Sequence, residues 1–507
     1  MKVSIERRRV FINAIMSLVQ IVLVSGVLFF LYRFLLKTIG VEKLGIWSLV
    51  LATTSVTQAA NFGLSGSVVK FVAKYVARNE DKNVSGVIQT AVISLGVIIG
   101  TVLLAGYPLI KWVFGLVVPV NSLGLALSIL PFALFSLWLA TITGVFQSGL
   151  DGFQRIYMRN LLMIVGSIFY ALLCFIFAPK YGLIGLAYAQ IINNTVIFIV
   201  SWVLIKRFLP VLPVFPYQWN NDIFKEIINY GVNFQIITIT GMFADPITKA
   251  LLSKFGGLSM VGYYEMANRM VQQFRALIVS ANQVLVPAIA DLQEKNPERI
   301  RSVYSTNYNL LFYLALPLYT LIIISTPLIS EIWIGHYERI FIVFGTLLTI
   351  GWFLNTLSTA SYFANLGTGN LRWNVIGHIT AAILNVILGF TLGFLFNGYG
   401  VVIAWVIALS LGSAVIYVAY HFTNRIPLSE LFPKDSRAMF VLCTIILLVF
   451  LLIQSGFNHT LRSIALNIII ISLSSLVIFI PFYLHPMRKR LMGWARELVK
   501  VKVEVEE

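Results

Sequence analysis

The sequence predicts an all-α polytopic membrane protein with about 14 transmembrane helices. Two six-helix repeats are followed by two C-terminal helices, and both termini are cytoplasmic. Three observations carry this. Of 507 residues, 59% are hydrophobic and 11% charged, whereas a soluble domain is about 25% charged. Apolar stretches near the 20 or so residues that a span needs follow one another along the whole chain. Basic residues collect in alternate links: 26 of the 37 Lys and Arg fall in one set, 7 in the other and 4 within spans. Charge of that periodicity places the richer set, termini included, in the cytoplasm.

The expected spans are 10–36, 44–69, 84–107, 122–149, 156–178, 183–205, 227–253, 261–290, 302–326, 340–366, 373–395, 400–423, 438–455 and 463–485. The opening MKVSIERRR leads into an apolar run too long for a signal-peptide core and without a small-residue cleavage site, so it reads as the first helix. Cys174 and Cys443 lie inside apolar runs, so neither a disulfide nor a zinc site is expected. The organisation is a bundle over 1–206, a cytoplasmic linker over 207–226 bearing Pro210, Pro213 and Pro216, a second bundle over 227–423, two further helices over 424–485 and a charged tail over 486–507. The net charge of +17 then reports topology and anionic headgroups rather than nucleic acid.

The two bundles echo each other. LLKTIGVEKLGIW (35–47) matches LLSKFGGLSMVGYY (251–264), with Gly40, Gly45 and Trp47 meeting Gly257, Gly262 and Tyr264 at an offset of 217. The same offset pairs Gly152 and Arg155 with Gly369 and Arg372, and an offset of 218 pairs Tyr181-Gly182 with Tyr399-Gly400. Six helices per repeat is an even number, so the halves share one membrane orientation. Transporters built from such parallel repeats bind substrate near the midplane between them.

Helix 8 is the unusual span. Residues 265, 268, 269, 272, 275, 279 and 282 share one helical face, and all but Val279 are polar: Glu265, Asn268, Arg269, Gln272, Arg275 and Asn282. A charge at a bilayer centre costs roughly 2.5–3.5 kcal/mol on insertion scales. The stripe is therefore expected to line a water-filled cavity, or else to pack against polar groups of neighbouring helices. At the 217 offset its counterparts in helix 2 are Ser48, Ser55, Gln58 and Ser65, polar but uncharged, with Thr54 and Asn61 nearby. The two faces are expected to flank one cavity.

Helix 7 contributes ADPITKALL. Asp245 and Lys249 are four apart and meet on one face, and Pro246 is expected to kink the helix. Asp245 and Glu265 are candidates for a residue that protonates or binds a cation; a structural salt bridge is the plainer role for Asp245. Lys249 and Arg33 lie near the outer ends of helices 7 and 1, where snorkelling is the alternative to substrate contact. On the cytoplasmic side Lys70, Lys74, Arg155 and Arg372 are candidates for capturing an anionic headgroup, or topology signals alone. His378 and Asn385 read as packing groups in helix 11. No Walker motif is present and no long outer loop pairs acids, which argues against ATP hydrolysis and an enzyme of glycan assembly. Glu331 and His336 have no third ligand nearby in sequence, so neither a metal nor another cofactor is expected. Asn458-His459-Thr460 forms a sequon on an outer loop.

The junction LLKTIGVEKLGIWSLV with NFGLSGSVVKFVAKY, its echo GYYEMANR…VLVPAIADL, and YGLIGLAYA resemble the polysaccharide flippase branch of the multidrug/oligosaccharidyl-lipid/polysaccharide exporter superfamily. The resemblance spans the chain in a 6+6+2 plan; Asn61 stands where many members are acidic. It implies a multi-pass protein of the plasma or inner membrane, not an enzyme, that flips a polyprenyl-diphosphate-linked oligosaccharide to the outer leaflet by alternating access. The implied partners are that substrate, membrane lipids, H+ or Na+, and membrane enzymes of glycan assembly. Arg forks suit phosphate oxygens, so the substrate-binding candidates are Arg269, Arg275, Lys249, Gln272, Asn268, Gln58 and Asn61. The alternative is a multidrug/cation antiporter of the same fold. In-span charge of four basic residues against two acidic ones, Asp245 and Glu265, favours an anionic substrate.

Overall fold

The computed structural model describes residues 2–58, 64–228, 243–283, 285–456 and 463–493. Among them every regular element is a helix. The order is α1 (Lys2–Ile39), α2 (Val41–Gln58), α3 (Leu64–Ala77), α4 (Asp81–Val117), α5 (Val120–Gly152), α6 (Ile156–Phe208), α7 (221–228), α8 (Ala244–Asn282), α9 (Leu285–Lys295), α10 (Glu298–Trp333), α11 (Arg339–Thr368), α12 (Arg372–Thr423), α13 (Arg437–Gly456) and α14 (Ile464–Leu484). Nine of the described helices are long and apolar enough to cross a membrane. The chain is a multi-pass integral membrane protein.

Two of these helices are too long for one crossing. At 1.5 Å per residue the 53 residues of α6 would reach about 80 Å if straight, against a hydrocarbon core of about 30 Å. It breaks at Gly182 (φ 58, ψ −129), and a Cβ on Gly185 would run into the carbonyl of Phe177. Residues eight apart in a straight helix are about 12 Å apart, so this contact shows that α6 folds back on itself. The 52-residue α12 does the same: Asn397 takes φ 54 and ψ −143, and Gly400 meets the carbonyl of Leu392. The backbone thus equates Gly182 with Asn397 and Gly185 with Gly400 at an offset of 215, where sequence matching had paired Tyr181-Gly182 with Tyr399-Gly400 at 218.

The same shift appears one hairpin earlier. Gly152 is pressed against Val72 of α3, and Gly367 against Ile289 of α9. Gln154 (φ 59) and Gly369 (φ 76) are both left-handed where α5 and α11 end. Both pairings again run at 215, so Gly152 corresponds to Gly367 rather than Gly369. Arg155 N-caps α6 while Arg372 opens α12 proper. Before that point the offset of 217 pairs like with like: Gly40 (φ 84) and Gly257 (φ 79) are both left-handed.

The chain divides into two compact units, Met1–Gly262 and Tyr263–Glu507. In the first, α1 and α5 pack on α6, and α3 on α5. Polar bonds join the helices, including Trp138 Nε1 to the Gly96 carbonyl at 2.8 Å and Asn194 Nδ2 to that of Ser136 at 3.1 Å. The proline-bearing stretch before α7 is a bound strap. Gln89 Oε1 on α4 accepts from the backbone N–H groups of Tyr217 and Gln218 at 3.1 and 3.2 Å. Trp219 Nε1 donates to Ser94 Oγ at 3.0 Å. Asn220 then caps α7, its Oδ1 accepting from Asp222 and Ile223.

The first arm of α8 belongs to this unit. Ser253 Oγ donates to the Val117 carbonyl at 2.6 Å, and within the described stretch of α8 the helix breaks at Gly257 (φ 79, ψ 172); the chain over 229–242, into which a kink at Pro246 would run, lies outside the described residues. In the second unit α11 packs on α12, α10 and α9, while α13 and α14 lie on α10. Tyr313 stacks on Phe482 at 4.4 Å and donates to its carbonyl at 3.0 Å. Cys174 and Cys443 are buried and unpaired.

Candidate functional site

The polar face of helix 8 is built by the second arm of α8, which runs unbroken after Gly257 to Asn282. The face packs on α11. Asn268 Oδ1 accepts from Trp352 Nε1 at 3.0 Å. Seven residues on, two turns along the same face, Arg275 donates to Asn355 Oδ1 from Nε at 3.2 Å and from Nη2 at 2.8 Å. Asn355 Nδ2 donates in turn to Ser413 Oγ on α12 at 2.9 Å. The Arg275 guanidinium also lies over the Trp352 ring, 4.8 Å from its centroid, and the Trp352 ring meets Trp405 edge-on at 6.3 Å. Tyr319, Tyr362 and His378 lie within electrostatic range of it.

The charges of the stripe are not equivalent. Arg269 Nε donates to the carboxylate of Glu265, which is buried. That pair cancels its own charge. Arg275 meets an amide oxygen and an indole face, and no carboxylate pairs with it among the described residues. Its positive charge is held by dipoles and a ring quadrupole but not neutralised. Gln272 is half-buried between them.

Within the first unit, Lys249 Nζ pairs with Asp245 Oδ2 at 2.6 Å. The lysine is buried at 5% exposure and the Asp245 side chain is 38% exposed. Snorkelling would expose the ammonium, so it does not describe Lys249. Asp245 Oδ1 has no hydrogen-bond partner among the described residues. Asn61 and the side chain of Gln58 lie outside the described residues, as does the sequon at 458–460.

The cytoplasmic candidates divide by packing. Lys74 pairs with Glu226 of α7 at 3.2 Å and Arg155 lies over the Phe208 ring at 5.1 Å. Lys70 and Arg372 are exposed, each beside the ring of its chain neighbour, Phe71 or Trp373. His378 packs edge-on to Tyr362 at 5.9 Å, and Asn385 is fully buried. His336 Nε2 approaches Glu338 Oε2 at 3.3 Å, and Glu338 caps α11 by accepting from Ile340 N–H.

Asn355, Trp352 and Ser413 were not among the sequence-based candidates. A signal existed: LLTIGWFLNTLSTA places Trp352 and Asn355 three apart in a span whose other polar residues are small hydroxyls, and a carboxamide at that depth needs a partner.

Residues 31–337 match the polysaccharide biosynthesis protein family, which is more than half of the chain. No curated protein matches. Among solved structures, the lipid II flippase MurJ in an inward closed conformation aligns with a TM-score of 0.73 at 15% identity, covering 93% of this chain and 99% of MurJ. An inward-facing multidrug resistance transporter of the MATE family aligns at 0.68 with 18% identity, covering 82% and 95%. A transporter from Pyrococcus furiosus, described by a binding pocket of reverse polarity that suggests a different function, aligns at 0.59 with 16% identity, covering 81% and 95%. The fold is thus shared with multidrug and lipid transporters alike, while the sequence match is to one family: the chain belongs to the polysaccharide biosynthesis protein family.

Proposed function

We propose that this protein flips a polyprenyl-diphosphate-linked oligosaccharide from the inner to the outer leaflet of the plasma or inner membrane by alternating access, for assembly of cell-surface polysaccharide. The observation that carries the reading is Arg275, whose charge no carboxylate cancels among the described residues. A bound diphosphate supplies charged acceptors, and a guanidinium pairs with phosphate oxygens through two parallel bonds between opposite charges, where Asn355 offers one neutral oxygen. Phosphate oxygens would therefore displace the amide and leave Asn355 to bond sugar hydroxyls. Arg269 follows in importance, because binding an anion there competes with Glu265. Gln272 and Asn268 extend the polar face, with Gln58, Asn61 and Lys249 as further contacts. The family match and the fold shared with a lipid II flippase support this choice of substrate class.

The topology belongs to the same proposal. Fourteen crossings in a 6+6+2 plan with cytoplasmic termini fit the fold-backs of α6 and α12 and the recurring glycine contacts. In that frame Lys70, Lys74, Arg155 and Arg372 collect the headgroup on the cytoplasmic side. Asp245, with one carboxylate oxygen unpartnered among the described residues, and Glu265 are the residues through which H+ or Na+ would couple. Partners in the membrane are lipids and enzymes of glycan assembly.

The test uses liposomes holding purified protein and a fluorescent polyprenyl-diphosphate oligosaccharide, with leaflet exposure read by an impermeant quencher. Wild type flips the lipid, and Arg275→Ala slows it by about ten- to a hundredfold, the loss of one charged contact of about 1.5–3 kcal/mol. Arg269→Ala is impaired as well. If neither wild type nor variants flip it, and wild type instead expels a cationic dye against an H+ or Na+ gradient, the flippase reading is wrong and the antiporter takes its place.

A further inference from the structure

A cavity in the Tyr263–Glu507 unit lies away from Arg275, where the end of α9 meets the end of α11 and both ends of α12. Its volume is about 230 Å³. Sites for drug-sized ligands occupy roughly 300–1,000 Å³, so this one has room for a single ring. Four carboxamides line it, from Gln293, Asn365, Asn370 and Asn424, together with two threonines and the aromatic rings of Trp373 and Tyr420. No lining residue carries a charge.

Much of that polar capacity is unspent. Asn365 donates from Nδ2 to Asn374 Oδ1 at 2.8 Å, and Asn424 from Nδ2 to the Tyr420 carbonyl at 2.8 Å. Both keep their Oδ1 acceptors free of partners among the described residues. Gln293 and Asn370 hold a whole amide each. Every carboxamide offers an acceptor and a pair of donors, which matches the hydroxyl, at once donor and acceptor. The rings are placed firmly: Tyr420 is 3% exposed and packs on Tyr304 with centroids 4.5 Å apart, and Trp373 is half-buried at the start of α12.

The geometry points to a binding site for one neutral pyranose ring, its hydroxyls on the carboxamides and a C–H face on Trp373. An anion would find no cation in the lining itself, since Arg372 lies beside the Trp373 ring but outside it; a metal ion would find no carboxylate or imidazole, and an apolar molecule would strand four amides. The basic links at 295–301, 372 and 425–437 place this end of the bundle on the cytoplasmic side. The site would then take a sugar unit before it crosses, or hold one against premature release.

The site stands on its lining and not on the diphosphate reading, so its test uses no transport assay. Full-length protein is placed in phosphatidylcholine nanodiscs, free of sugar-headed detergent. Saturation-transfer NMR is run with the methyl glycosides of glucose, galactose, N-acetylglucosamine and rhamnose at millimolar concentration, with uridine as a planar control. At least one glycoside receives saturation. The signal falls about fivefold or more in Gln293→Ala and in Trp373→Ala, the loss expected when one contact group is removed, and persists in Arg275→Ala. Gln293 is exposed, so its variant keeps the test valid should Trp373→Ala fail to fold. Transfer to no glycoside, transfer to uridine alone, or glycoside signals unchanged in Gln293→Ala would overturn the assignment.

Discussion

The Arg275 guanidinium donates twice to one amide oxygen, Asn355 Oδ1, from Nε and from Nη2. A half-buried cation is thereby held by a neutral group that is itself tethered to Ser413. Removing the acceptor strands the charge. Asn355→Leu should lower stability by about 1.5–3 kcal/mol, read as a drop in Tm in detergent. Arg275→Leu with Asn355→Leu should recover most of it, because matched apolar groups leave no stranded charge, and only the Ser413 hydroxyl loses its partner. A double variant no more stable than Asn355→Leu would mean that the two residues are not coupled.

Gly45 and Gly262 make reciprocal contacts. A Cβ on Gly45 would overlap the carbonyl of Leu258, and one on Gly262 the carbonyl of Val41. The obstacles are backbone atoms and cannot swing aside. Gly45→Val or Gly262→Val should cost about 1–3 kcal/mol or more and reduce the monodisperse yield on size exclusion. Gly26 has no heavy atom within 4 Å of its would-be Cβ. Gly26→Ala should be neutral or stabilising by up to about 1 kcal/mol. Equal yields for all three variants would remove the close contact from the account.

Gln89 holds the strap before α7 by accepting two backbone N–H groups. Gln89→Leu keeps the side chain's bulk and removes the acceptor. Amide hydrogen exchange at Tyr217 and Gln218 should speed up about fivefold, with each lost bond worth about 1 kcal/mol. Exchange at the wild-type rate would show that the strap is held from elsewhere.

His485 lies just beyond α14, outside the spans. Its Nδ1 accepts from Met487 N–H at 3.1 Å and its Nε2 lies 3.0 Å from Ser436 Oγ. An accepting Nδ1 requires the neutral ring. Burial pushes its pKa below the usual histidine value of 6.5, against a smaller upward pull from Asp435. The neutral form is thus the one that the fold favours. Stability from this group is complete above the unfolded value of about 6.5 and is lost as pH falls toward the lower folded value. Tm should fall between pH 7 and pH 5, and less so in His485→Asn. Identical pH profiles for the two proteins would exclude this histidine as a source of acid sensitivity.

Membrane class, helical content and the polar face of helix 8 follow from sequence alone, because a continuous apolar run of about 20 residues crosses lipid as a helix and each in-span charge is then conspicuous. The glycine echo was legible for the same reason: left-handed turns at Gly40 and Gly257 admit few other residues. The register after α5 was not, since Asn397 takes a turn that its counterpart Gly182 makes with no side chain, and the chemical match at Tyr-Gly pointed three residues away. The strap was read as a linker because prolines mark an interruption of helix but do not show what the freed backbone bonds to. Within the stripe, sequence placed Glu265, Arg269 and Arg275 on one face through the 3.6-residue period. The Glu265–Arg269 pair follows from the same period, since residues four apart meet on one helix; only the tertiary structure decided what meets Arg275, because its partners stand on another helix: α11 offers it an amide and an indole ring.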